Sequence, residues 1–284
     1  MLEREEYVEQ AYLFRILAER LTQNMPLQEL FRQVREELLA TTKLPMAVDF
    51  LRTELEHLGA FGPAMAKLSH YFTPFQTYLV CEAEDDRGRF DMATALEILR
   101  AEATYRSSGA SRQGIFLFQF ETICRNRLRY DRGLQAVAAD PCYDQDWHDW
   151  ILTVRRQIGI IDVADLLFVR SEHYQRRRRS RAGEELAPEK PVLFGEKEGK
   201  IALANRGKDP LYLFAALQRH LGYPVVPRLR PADQTPQLLP QLMRRLERLE
   251  SRLKLLEEEQ RDGIDLTKFF GPQPPGVSGS LPPM

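Results

Sequence analysis

The chain has 284 residues, 43% of them hydrophobic and 29% charged, so it can bury a core and keep its surface in water. Its 40 basic residues stand against 41 acidic ones, which excludes a global field drawing it to nucleic acid or anionic lipid. Cys81, Cys124 and Cys142 are odd in number, widely spaced and without a C-x-x-C pair, so neither a disulfide framework nor a zinc knuckle is predicted.

The N-terminus, Met1-Leu2-Glu3-Arg4-Glu5-Glu6, is too acidic and too poor in apolar residues for a secretory signal. No apolar run approaches the ~18–20 residues that a membrane span needs. A cytoplasmic protein with no membrane partner is the expectation.

Residues 1–175 read as helix after helix. Tyr7, Ala11, Phe14, Ala18 and Leu21 share one face of the first, and Glu3, Glu5 and Glu6 suit its N-terminal dipole. Pro26 restarts the chain ahead of Leu27, Leu30, Phe31, Val34 and Leu38. Pro45 opens a third helix with Val48, Leu51, Leu55 and Leu58 inward, and Gly59 ends it as a left-handed cap. Phe75 to Cys81 is apolar enough for a strand. However, Thr73, Pro74 and Gln76 form a capping box with proline at the first helical position, which favours helix.

Asp91 caps a helix bearing Met92, Ala95, Leu99 and Ala103. Ile115 to Phe118, then Phe120, Ile123, Cys124 and Leu128, predict a helix apolar on much of its surface, which belongs at the centre of a bundle. After the break at Asp140-Pro141, Trp147, Trp150, Ile151, Val154 and Ile158 fit the helical template, and they are expected to pack with Phe116 and Phe120. Asp162 caps a helix with Val163, Leu166, Leu167 and Tyr174 on one side.

From Arg176 the character changes. A basic run of Arg176, Arg177, Arg178, Arg179 and Arg181 leads into a charged linker over residues 176–190. Val192-Leu193-Phe194 and Ile201-Ala202-Leu203, bracketing a turn between Gly195 and Gly199, predict a β-hairpin. Asp209-Pro210 starts a helix carrying Phe214, Leu217 and Leu221, closed by Gly222. Residues 191–230 thus read as a hairpin-plus-helix module.

Residues 231–262 hold a proline linker and a leucine ladder: Leu239, Leu242, Leu246, Leu249, Leu253 and Leu256 at steps of three and four. That spacing averages 3.5 residues and keeps one seam of a helix against a partner helix. Arg245 facing Glu250, and Arg252 facing Glu257, suit a parallel pair. The seam spans only about 30 Å, so it assists association rather than sustaining it alone. Residues 263–284 read as a disordered tail rich in proline and glycine. Within the tail, Leu266 followed by Phe269 and Phe270 resembles the clamp-binding peptide of replication proteins, with Gly263 where that family carries glutamine. A docking role for these aromatics is the broader expectation.

The predicted fold is mainly α: a multi-helix bundle, a small β-hairpin-plus-helix module and a C-terminal coiled-coil helix. No catalytic triad, phosphate loop or cofactor motif is present, and no cofactor is expected. The functional expectation is a non-enzymatic scaffold or adaptor that associates with itself through the leucine seam, with another protein as a further partner. A second reading is nucleic-acid binding through Arg176 to Arg181, whose guanidinium groups suit phosphates. A third is a metal-dependent bundle enzyme. Glu54 and His57 form one E-x-x-H pair of the kind that ferritin-like bundles use twice, and His148 is the further ligand candidate.

Overall fold

The computed structural model describes residues 2–21, 27–85, 87–182 and 190–228, together with residues 243, 249, 250 and 253. By its internal contacts the chain divides into a body, Met1–Leu229, and a second unit, Arg230–Met284.

The body is a stack of helices: α1 (Arg4–Leu21), α2 (Leu27–Arg35), α3 (Leu44–Leu58), α4 (Phe61–Lys67), α5 (Pro74–Ala83), α6 (Met92–Ser107) and α7 (Arg112–Arg125). They are followed by α8 (Tyr130–Ala138), α9 (Gln145–Gln157), α10 (Val163–Val169), α11 (Glu172–Ala182), α12 (Glu196–Ala204) and α13 (Pro210–Leu221). The expected capping chemistry recurs at their starts. Asp91, Asp144, Asp162 and Asp209 each accept a backbone N–H from the first turn, and Thr73 and Gln76 bond reciprocally at the head of α5. Gly59 and Gly222 close α3 and α13 at φ 69°.

Helix α1 lies along α6 and sets Leu13, Phe14 and Leu17 into the core, one step round from the predicted face. Two of its acidic residues hold the chain just ahead of α3. Glu6 accepts from Lys43 N–H at 2.8 Å and from the Tyr71 hydroxyl at 2.7 Å, and Glu9 accepts from Leu39 N–H at 3.0 Å.

Helix α7 occupies the centre, with every residue from Gly114 to Ile123 buried. Phe116 stacks on Phe120 at 5.7 Å and meets Trp150 at 4.8 Å, while Phe120 meets Phe214 of α13 at 5.8 Å. Trp147 and Trp150 cross edge-to-face at 5.4 Å, and both touch Phe194. The predicted aromatic core is therefore assembled as read, with Phe194 added.

The end of α7 departs from the usual chemistry. Leu128 N–H bonds to Ile123 C=O at 3.0 Å and Arg127 N–H to Cys124 C=O at 3.3 Å, which is the Schellman pattern. The left-handed position of that motif favours glycine; here Arg127 takes it at φ 54°, at a cost of about 1–2 kcal/mol.

The predicted hairpin is not formed. Among the described residues there is no strand, only isolated bridges at Ile158↔Ile161 and Ser171↔Phe194. Residues 196–204 instead form α12, and Leu193 and Phe194 run extended beside Arg170, whose carbonyl accepts from both their N–H groups. The two glycines expected to form the turn have other roles. Gly195 is the N-cap of α12, and Gly199 lies inside that helix where a Cβ would come within 2.6 Å of Ser171 Cβ and 2.8 Å of His173 Cβ. Gly199 is what allows α11 and α12 to approach.

Candidate functional site

The arginine run lies on α11, where Arg176 to Ala182 continue the helix that begins at Glu172. Ser171 fixes its start: the hydroxyl donates to Phe168 C=O at 2.7 Å and accepts from Tyr174 N–H at 3.2 Å. Arg176 pairs with Glu196 of α12. Arg177 and Arg178 line an open cavity of about 580 Å³, with Phe168 and Tyr174 in its walls. Arg179 and Arg181 follow on the same helix. Arg206, from the turn after α12, completes the cavity. Its guanidinium pairs with Asp165 and lies 5.9 Å over the Phe168 ring. Phe168 and Tyr174 meet edge-to-face at 5.3 Å. Three guanidinium groups and two aromatic rings in one concavity suit a ligand with both phosphate and planar apolar parts. Reading the sequence supplied two of these arginines and missed Arg206, which comes from another element and carries no local signal.

A second polar cluster lies inside the body. Arg106 Nη2 donates to Glu102 Oε1 at 2.9 Å and to the Asp140 carboxylate. Gln119 Nε2 reaches the same two acids at 2.8 and 3.2 Å, and the Tyr143 hydroxyl donates to Gln119 Oε1 at 3.0 Å. Burial raises the Glu102 carboxyl above its usual range, against the pull of Arg106. For Arg106, burial opposes the charge, but Glu102 and Asp140 outweigh it and hold the guanidinium protonated. Glu102, Arg106 and Asp140 do not border the α11 cavity; the cluster ties α6, α7 and the α8–α9 turn together.

A third feature is an apolar groove of about 680 Å³ between the α9–α10 turn and α13. Phe120 and Phe214 form its floor, and Ile160, 83% exposed, stands at its rim. Cys124 borders it; burial pushes this thiol up to about 11, so it is a poor nucleophile at neutral pH.

The remaining sequence candidates do not converge. The Glu54 carboxylate is taken by Lys67, His57 is exposed on α3, and His148 bonds to Asp149 at 3.2 Å on α9. Among the described residues no group of three or more His, Cys, Asp or Glu side chains is placed to hold a metal ion. Of the ladder, Leu249 and Leu253 are helical and exposed; Leu239, Leu242, Leu246 and Leu256 lie outside the described residues, as do Leu266, Phe269 and Phe270. Among the described residues no helix is long and apolar enough to cross a membrane. No protein family, no curated protein and no solved structure matches the chain.

Proposed function

We propose that this protein is a non-enzymatic cytoplasmic scaffold or adaptor that associates with itself through the leucine seam of residues 239 to 256. The observation that carries the reading is the state of Leu249 and Leu253. They stand one helical turn apart, and each leaves more than half of its surface exposed, 55% and 57%. An apolar row of this spacing gains free energy by meeting its equal on another chain. Light scattering of the full chain at micromolar concentration tests the proposal. A dimer or larger species is expected, dissociating when Leu246→Asp and Leu249→Asp place charges in the seam. A monomeric parent protein overturns it.

A second reading, nucleic-acid binding, is favoured by one observation: Arg177, Arg178 and Arg206 share a cavity with Phe168 and Tyr174. Guanidinium groups beside aromatic faces are what proteins use to hold single strands, through phosphate contact and base stacking. A salt-sensitive gel shift with single-stranded RNA or DNA, lost in an Arg177→Gln/Arg206→Gln variant, supports this reading over the scaffold.

A further inference from the structure

Elsewhere on the body, five arginines line one concavity. Arg87 and Arg89 come from the α5–α6 connection; Arg125, Arg127 and Arg129 come from the end of α7 and the turn into α8. The space they line measures about 680 Å³, with Phe90 and Leu128 supplying apolar wall and the Glu82 and Asp85 carboxylates also at its border. Only some of the positive charge is answered. Arg129 pairs with Glu82 at 3.2 Å and with Asp85, and Arg125 with Glu121. Arg87, Arg89 and Arg127 have no carboxylate partner among the described residues, and all three are exposed.

The backbone adds an independent observation. Arg127 occupies the left-handed position of the Schellman turn, where glycine is relaxed and an arginine is strained. Its side chain offsets that strain with no hydrogen bond or ion pair among the described residues. Strain that the fold does not repay locally is characteristic of positions held for a ligand. The turn brings a guanidinium to a space that already holds four.

From these two observations we infer that this concavity is a binding site for a compact, multiply charged anion of the phosphate class, such as the diphosphate group of a small molecule. Planar guanidinium groups bond phosphate oxygens in pairs, and several of them around one hollow select high charge density over a single carboxylate. A hollow of this size, bordered by several guanidinium groups, suits a small ligand rather than a long polymer, which needs a stripe. The site is separate from the α11 cavity and does not depend on the seam.

Thermal melts of the full chain with increasing inorganic pyrophosphate, at fixed ionic strength so that screening stays constant, test the inference. Two variants accompany the parent. Arg127→Gly removes the guanidinium and relaxes the turn, so the unliganded variant should melt no lower than the parent. Arg89→Gln changes an exposed side chain only. The expected result is a pyrophosphate-dependent rise in melting temperature for the parent, with about tenfold more pyrophosphate needed in each variant, the weight of one charged hydrogen bond. Equal responses in parent and variants, or none in the parent, overturn the inference. So does a single-stranded oligonucleotide that binds through Arg89 and Arg127 where pyrophosphate does not.

Discussion

Arg106 and Asp140, 34 residues apart in sequence, form an ion pair from which solvent is excluded: the two side chains are 1% and 0% exposed. Neither charge has water to fall back on, so the pair matters through what remains when one member is removed. Arg106→Ala leaves Asp140 buried without its cation and should destabilise the body by about 3–5 kcal/mol. Chemical denaturation followed by circular dichroism measures this, and a loss under about 1 kcal/mol would place the pair in contact with water.

Glu102 shares Arg106 with Asp140. Its carboxyl is raised in the folded state by burial, so it binds its proton more tightly folded than unfolded. The stability it contributes is fully present below the unfolded pKa, near 4.5, and is lost as pH rises through the raised folded value. Glu102→Gln fixes a neutral group there. Relative to the parent, the variant should therefore gain stability as pH rises from about 4.5 towards neutrality, by up to about 1.4 kcal/mol per pH unit in the window between the two pKa values. Denaturation midpoints across about pH 4 to 8 show whether the two curves diverge in that direction.

Trp150 is 2% exposed and touches Phe116, Trp147 and Phe194. Trp150→Ala should cost about 3–5 kcal/mol through lost burial and the cavity left behind. In the parent, both tryptophans should emit at short wavelength and resist quenching by iodide; ready quenching would contradict their burial.

Gly199→Ala is expected to destabilise the protein, although alanine is the better helix former by about 1 kcal/mol. The added methyl would stand 2.6 Å from Ser171 Cβ, and α11 and α12 would have to separate. Lys197→Ala, an exposed change on the same helix, is the control. In thermal melts the glycine variant should fall below both the parent and this control; a Gly199→Ala protein that melts higher would mean that the two helices have room to spare.

Which features were legible in the sequence follows from how local their cause is. The capping box at Thr73, the left-handed Gly59 and the tryptophan helix are each set by a few adjacent residues, and each is in the structure. Gly195 and Gly199 misled because glycine marks a turn and a close helix contact equally well, and for Gly199 only the partner, Ser171, tells them apart. Glu102 and Arg106, four residues apart on α6, look in sequence like any surface pair; Asp140 and Gln119, from other elements, reveal them as interior. The arginines at 87, 89 and 127 form no run, so the concavity they line is invisible until α5, α6 and α7 are placed.

The position of α7 has a consequence for how the protein is made. Phe120 must be covered by Phe214, which belongs to the last helix of the body. A ribosome adding about 5–20 residues per second delivers Phe214 on the order of 5–20 seconds after Phe120. Through that interval the nascent chain presents an aromatic helix with no final cover, the kind of segment that chaperones hold during synthesis.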